Sequence, residues 1–261
     1  YDARFLVMSA TFPGLIRDLL ADALGETPAI TASADLYAKF RRHRIRLVDG
    51  EVLDPANLKR IRDAALIERK SVLVVCNVVA RAQEVFDILS DELAGSEIEL
   101  VLLHGRFNMR DRLQKEKVIR ERTGADRSGG EPVVLVATQA VEVSLDIDLD
   151  TIYSEPAPLE ALVQRFGRVN RRGRKNVVDV HVFTVASEEQ KYIYDERLVD
   201  GTLRVLAREN GRDIDESAVG AWLDEIYNGE IEEEWRAKYA RRATEFDDVI
   251  VSSLRPFQSD R

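Results

Sequence analysis

Cysteine and histidine are both scarce in this chain of 261 residues, which has one cysteine, Cys76, and three histidines. A single cysteine excludes a disulfide within the chain, and three scattered histidines leave little material for a His/Cys zinc site. We therefore expect a reducing compartment, the cytoplasm, and no metal site formed by the side chains of this chain.

Long apolar runs are missing as well. No stretch approaches 18 consecutive apolar residues, and residues 1–4 do not resemble the start of a signal peptide, so we expect no membrane span. Hydrophobic residues still make up 45% of the chain, enough for a sizeable core. The chain has no initiator Met and begins inside an apolar element, which is typical of a piece of a longer protein.

Positive charge is in deficit, with a formal net charge of −9. Such a balance argues against a protein that grips phosphate backbones, because that grip depends on Lys and Arg. However, residues 187–261 hold 19 acidic and 11 basic side chains, whereas residues 1–186 hold 28 and 27. Within the near-neutral part, basic side chains cluster in 106–122 and 165–175. Each cluster by itself is more often a solvated face than a binding site.

Short apolar runs alternate with helical patterns along the chain. The runs predicted as strands are 5–8, 72–76, 100–103, 133–136, 151–153 and 178–182, the last of them nearer a sheet edge. The patterns predicted as helices are 15–24, 78–93 and 109–122, with a further helix opening at Pro158. This alternation predicts an α/β fold with a mostly parallel sheet flanked by helices between about 40 and 186.

Three regions follow from this pattern. Residues 1–33 are predicted to be the end of a preceding α/β lobe, and residues 34–186 a complete α/β lobe. Residues 187–261 are predicted to be a helical, acidic appendage that links to a C-terminal region.

The most informative string runs from Gln164 to Arg171, on or ending a helix. Its arginines, Arg165, Arg168 and Arg171, recur at steps of three, so on a helix they would lie toward one side. A forked, permanently charged guanidinium matches the oxygens of a transferring phosphoryl group. Gly167 would allow a phosphate or another backbone to approach closely. The alternative is a basic surface helix.

Other polar strings follow predicted strands, where open α/β sheets place ligand contacts. In the string 136–148, Thr138 could donate to a phosphate and Asp146 could accept from a ribose hydroxyl, although both also suit a capped turn. His104 and Arg106 follow another strand, and a lone histidine there is more often structural. Ser9-Ala10-Thr11 is short and weak evidence by itself.

Together and in this order, these strings resemble the second, C-terminal RecA-like lobe of superfamily-2 helicases. Among these helicases the chain is similar to the CRISPR-associated helicase-nuclease of type I interference systems, over roughly residues 1–230. The features that indicate this subfamily are 104–107, 144–148, Tyr194-Asp195 and 216–219. Val143, where that family often has Gln, and Gly105, where it often has Ser or Ala, depart from its pattern.

The resemblance implies a role for each singled-out residue. Arg168 and Arg171 would be arginine fingers on the γ-phosphate of ATP, which with Mg²⁺ is bound mainly by the first lobe. The residues that would face the nucleotide or lock the two lobes together are Gln164, Arg165, Gly167 and Asp146. The residues that would contact the nucleic-acid backbone are Thr138, Asn77, His104 and Arg106. Ser9 and Thr11 would belong to the motif that couples the two lobes.

The resemblance also implies the reaction and the partners. The complete enzyme would be an ATP-dependent translocase on single-stranded DNA in antiviral defence, partnered by a first helicase lobe, a nuclease domain and the CRISPR surveillance complex. The chain has no Gly-Lys dipeptide for a phosphate loop and no His-Asp pair for a nuclease, so we expect it to be inactive alone. The alternatives are a lobe of another superfamily-2 DNA or RNA helicase and a non-catalytic nucleic-acid-binding module.

Overall fold

A computed structural model describes residues 6–9, 11–25, 28, 30–38, 40–123, 131–142, 145–246 and 248–249. Sequence features at Phe5, Ala10, Val143, Ser144 and 124–130 lie outside the described residues. The described residues divide into two compact units, one within 1–31 and 220–261 and the other within 32–219. The region boundaries predicted after residues 33 and 186 stay predictions.

The larger unit is built on one parallel sheet. Its strands are β1 (His43–Val48), β2 (Val72–Val75), β3 (Glu99–Leu103), β4 (Val133–Ala137), β5 (Thr151–Ser154) and β6 (Val178–Phe183). They lie in the order β1-β6-β5-β2-β4-β3, and every neighbouring pair is parallel. The predicted α/β fold with a parallel sheet is confirmed.

Burial explains which strands the sequence revealed. Every residue of β2, β4 and β5 is buried, as expected for parallel strands covered on both faces. β1 was not among the predicted strands, because Arg44 and Arg46 interrupt its apolar residues. Pairing with β6, which lies next to this edge strand, holds β1 in the sheet.

Helices of the larger unit cover both faces of the sheet. They are α2 (Ala34–Ala38), α3 (Pro55–Leu66), α4 (Val79–Glu92), α5 (Met109–Thr123), α6 (Leu159–Phe166) and α7 (Glu196–Arg208). α3 and α4 pack against one face through a core that includes Ile61, Val85 and Leu89. α5 and α6 join strands in the opposite direction across the sheet, so right-handed crossovers place them on the other face.

The smaller unit contains the helices α1 (Gly14–Leu24), α8 (Val219–Ile226) and α9 (Glu230–Phe246), the first residue of α8 belonging to the larger unit. The Gly14 amide donates to Asp224 over 2.6 Å, which links α1 to α8.

The predicted helices are confirmed in the smaller unit, but the predicted strand at 5–8 is wrong for its described residues. Leu6 and Met8 are exposed, and no described strand lies beside them to supply the hydrogen bonds of a sheet. Among the described residues, no helix has the length and apolar character needed to cross a membrane.

Candidate nucleotide and nucleic-acid site

The carboxyl ends of the central strands bring the predicted backbone-binding residues to one edge of the sheet. Asn77, His104 and Thr138 follow β2, β3 and β4, which are neighbours through β4. The Thr138 amide donates to the Leu103 carbonyl over 3.1 Å, so the sheet pairing continues one residue past β4. Parallel pairing thus places side chains from three distant parts of the sequence side by side.

Asn77 is buried at this edge, and its polar groups are bonded inside the lobe. Its backbone amide donates to the Glu155 carboxylate over 2.6 Å, and its side-chain amide donates to the Pro156 carbonyl over 2.8 Å. Its backbone carbonyl accepts from Gln139 over 2.9 Å. Its side-chain oxygen accepts from Arg165 over 3.0 Å. This geometry makes Asn77 a joint between strand ends, and its predicted contact with nucleic acid stays a prediction.

His104 and Arg106 lie together but differ in exposure. The His104 ring is buried and stacks on Phe107, with 4.1 Å between centroids, and Lys115 lies over the Phe107 ring at 4.6 Å. Burial, aided by the charges of Arg106 and Lys115, lowers the pKa of His104, so the imidazole is neutral at pH 7. Arg106 is exposed, so its guanidinium group can reach an anion, whereas His104 is buried and neutral.

Thr138 is 3% exposed at the end of β4. Its hydroxyl makes no hydrogen bond to any residue that the structure describes. A short 3-10 helix, Gln139–Val141, follows it directly, and Glu142 comes next. Four residues after Thr138, the chain therefore reaches Glu142, which accepts hydrogen bonds from Arg165 and Arg168.

Arg165 lies in the core, 0% exposed, near the end of α6. Its guanidinium donates to five oxygens, which match its five N–H groups. The acceptors are the Glu142 carboxylate at 2.8 Å, the Ser154 hydroxyl at 2.9 Å, the Glu155 carbonyl at 3.3 Å, the Asn77 side chain at 3.0 Å and the Tyr194 hydroxyl at 3.0 Å. Such complete pairing compensates the cost of burying a charge.

The helix ends before the other two arginines, so the predicted arrangement of three arginines on one helical side is wrong. α6 stops at Phe166, with Gly167 at its C-cap. Gly167 has φ −61°, and a Cβ there would meet the Gln164 carbonyl at 3.3 Å, so its neighbour is its own helix. The chain then turns at Asn170, whose positive φ of 43° suits a residue that can bond locally.

Arg168 and Arg171 meet at one backbone oxygen. Their guanidinium groups donate to the Leu145 carbonyl over 2.7 and 3.3 Å, and Arg168 also donates to the Glu142 carbonyl over 2.5 Å. Burial and the nearby charge of Arg171 lower the pKa of Arg168, although a guanidinium remains protonated at neutral pH. Among the described residues, Arg168 has no carboxylate partner. Its Nε is buried without an acceptor among them.

Asp146 and Gln164 flank this pair. The exposed Asp146 carboxylate lies 3.6 Å from Arg171 and 3.4 Å from Arg172, so in this structure it is an ion-pair partner. Gln164 is exposed on the last turn of α6. Hence the site contains three guanidinium groups, and the single Asp146 carboxylate is shared by two of them, Arg171 and Arg172.

Ser9 and Thr11 belong to the smaller unit and form a local turn. The Ser9 hydroxyl accepts from the Thr11 amide over 3.1 Å and donates to the Thr11 carbonyl over 2.9 Å. These bonds match the turn-forming role of small hydroxyl residues. The predicted coupling role of Ser9 and Thr11 stays a prediction.

Sequence reasoning missed three residues of this network: Glu142, Glu155 and Tyr194. Glu155 is 0% exposed, and burial raises the pKa of its carboxyl above the ordinary value despite the nearby Arg81 and Arg165. Glu155 follows the buried strand β5 directly, and this position in the sequence could have identified it as a site residue. Among the described residues there is no cluster of three or more His, Cys, Asp or Glu side chains suited to a metal ion.

Comparison with known families and structures gives one consistent likeness for the chain. Residues 68–174 match the family described as CRISPR-associated nuclease/helicase Cas3, C-terminal. A Cas3 nuclease/helicase of Methanothermobacter thermautotrophicus is 27% identical over 88% of this chain and 28% of its own length. The chain thus spans less than a third of this relative.

Solved structures show the same likeness. The crystal structure of T. fusca Cas3 with ATP has a TM-score of 0.65 and 28% identity over 87% of this chain and 27% of its own length. A chain of a CRISPR RNA-guided surveillance complex in a pre-nicking state has a TM-score of 0.62 and 28% identity over 87% and 29%. The predicted resemblance is confirmed: the chain is similar in sequence and fold to the C-terminal, RecA-like superfamily-2 helicase lobe of Cas3.

Proposed function

We propose that this chain, as a Cas3-like C-terminal helicase lobe, is the second motor lobe of an ATP-dependent translocase on single-stranded DNA in CRISPR defence. Arg168 and Arg171 are its arginine fingers, and they act on the γ-phosphate of ATP bound mainly by a first lobe. Gln164 and Asp146 lie beside them and face the nucleotide or the first lobe.

The observation that carries this proposal is the shared carbonyl of Leu145. Two permanent positive charges that converge on one oxygen repel each other, and Arg168 has no carboxylate partner among the described residues. An incoming phosphate would relieve this repulsion and would offer the bidentate geometry that guanidinium groups prefer. The cluster therefore fits the γ-phosphate of ATP.

The strand edge supplies the proposed track for nucleic acid. Arg106 is exposed there and can pair with a phosphate, and the Thr138 hydroxyl is free of bonds within the described part of the lobe. His104 and Asn77 lie buried beneath the exposed residues of this edge and hold its backbone in place. Contacts to phosphates hold a strand without reading its sequence, as a translocase requires.

The remaining parts of the machine lie beyond this chain's own residues. We propose that ATP with Mg²⁺ is held mainly by the first lobe, because no Gly-Lys phosphate loop occurs in this sequence. A nuclease domain and the CRISPR surveillance complex are the proposed partners, and the cytoplasm is the proposed location. The T. fusca Cas3 structure with ATP supports the proposed nucleotide by similarity, and the surveillance-complex structure supports the proposed complex.

ATP hydrolysis by the full-length protein with both lobes tests the proposal. Arg168→Ala should lower kcat by about 10³-fold or more, the usual contribution of an arginine finger. Arg174→Ala is the matched control, since Arg174 is an exposed member of the same basic stretch. Full ATPase activity of a folded Arg168→Ala protein would refute the arginine-finger role. Stimulation by RNA in place of single-stranded DNA would refute the substrate.

A further inference from the structure

In the sequence, Tyr194 is only part of the Tyr194-Asp195 feature that indicates the subfamily and has no predicted chemical role. In the structure, its hydroxyl joins the centre of the buried network. It accepts from Arg165 over 3.0 Å, and the Gln139 side chain lies nearby. Tyr194 follows the sheet in the chain, in the segment just before α7, so it reaches the network from a separate element.

The bonds around Tyr194 form a continuous path. Arg165, the partner of Tyr194, and the nearby Gln139 hold the side-chain and backbone oxygens of Asn77 at the strand edge. Arg165 binds the Glu142 carboxylate, and the Glu142 carbonyl accepts from Arg168. Two bonded residues, Arg165 and Glu142, therefore link Asn77 at the strand edge to the proposed arginine finger.

We propose that Tyr194 is a positioning residue that couples the nucleic-acid edge to Arg168, an inference that rests on the proposed function. Its hydroxyl fixes the rotamer of Arg165, which in turn holds the Asn77 side chain and the Glu142 carboxylate. A shift of Asn77 caused by a bound strand is then passed to Glu142 and to the guanidinium of Arg168. Arg165, with all five donors paired, is held in one arrangement because each alternative leaves a buried donor unpaired.

Tyr194→Phe removes this hydroxyl and keeps the ring, so it tests the coupling in the full-length protein. We expect the stimulation factor, the ratio of kcat with and without single-stranded DNA, to fall about tenfold, as for the loss of a hydrogen bond to a charged group. A purely structural role would lower the melting temperature and leave this ratio unchanged. Tyr239→Phe, an exposed tyrosine on α9, is the control and should alter neither quantity.

Hydrogen–deuterium exchange of the same proteins separates this inference from the proposed function. Tyr194→Phe should raise exchange in peptides covering 138–142 and 165–171 and leave peptides from β1 unchanged. Unchanged exchange in the first two peptides, or faster exchange with an unaltered stimulation factor, would overturn the role of Tyr194. Failure of the arginine-finger assignment would instead appear as full activity of Arg168→Ala.

Discussion

Arg165 and Arg168 stand three positions apart in one string, and their surroundings are opposite. Arg165 is completely buried and has an oxygen for each of its five N–H groups. Arg168 is half-buried, shares the Leu145 carbonyl with Arg171 and has one Nε–H without an acceptor among the described residues. The comparison shows what distinguishes the two roles. An arginine whose N–H groups all have hydrogen-bond acceptors stabilises the fold, whereas one with an unpaired N–H group is available to a ligand.

The largest effect on stability is expected from Arg165→Met, which breaks the complete set of bonds. The Glu142 carboxylate and the Asn77 side chain would lose their partner, so the free energy of unfolding should fall by about 3–5 kcal/mol. Denaturant unfolding of the full-length protein measures this change.

Two further variants sharpen the same measurement. Arg168→Ala removes bonds to two carbonyls at a half-buried site and should cost only about 1 kcal/mol. Arg174→Ala, on the exposed surface, should stay within about 0.5 kcal/mol of the unsubstituted protein. Equal losses for Arg165→Met and Arg168→Ala would contradict the contrast between the two sites.

His43 and His181 extend the comparison with Arg165. Burial favours the neutral form of these histidines, whereas the buried Arg165 keeps its positive charge. Burial lowers the pKa of both His43 and His181 to about 4. Below pH 6.5 the unfolded chain binds protons that the folded lobe does not, so stability should be lost as pH falls from about 6.5 toward 4. Each histidine should contribute up to about 1.4 kcal/mol per pH unit.

Unfolding followed from pH 7 to pH 4 tests this dependence. His181→Phe should keep a ring against Tyr153, whose own ring lies 4.3 Å from that of His181. It should also reduce the slope, because it removes one of the histidines whose pKa is lowered by burial. An unchanged slope in this variant would show that His181 is protonated equally in both states.

The smallest effect concerns Arg106, the exposed cation at the strand edge. Arg106→Ala should weaken binding of single-stranded DNA similarly for all sequences and lower the salt slope of log K by about 0.7, as expected for one lost phosphate contact. Titrations at several salt concentrations measure the slope. An unaltered slope would place the nucleic acid elsewhere, and Arg174→Ala serves as the control for unspecific charge loss.

Periodicity in the sequence predicted much of the fold. Runs such as 133–136 are apolar at every position because both faces of the sheet are covered, and the helix predicted over 109–122 appears as α5. β1 escaped prediction because Arg44 and Arg46 interrupt its apolar residues, and what holds this edge strand in the sheet is its pairing with the distant β6. The strand at 5–8 was predicted from apolar residues that have no strand partner in the described structure.

The sequence by itself determined the residue types of the site and the strand ends that carry them. Tertiary structure decided which arginine is buried, because burial depends on where five acceptors from distant segments meet. The spacing of three predicted that Arg165, Arg168 and Arg171 share one side of a helix. However, α6 ends at Phe166. The turn at Asn170 then brings Arg168 and Arg171 to the Leu145 carbonyl. Nothing in the local sequence of Tyr194 reveals its hydrogen bond to Arg165, since 29 residues separate them and only the packed fold brings them together.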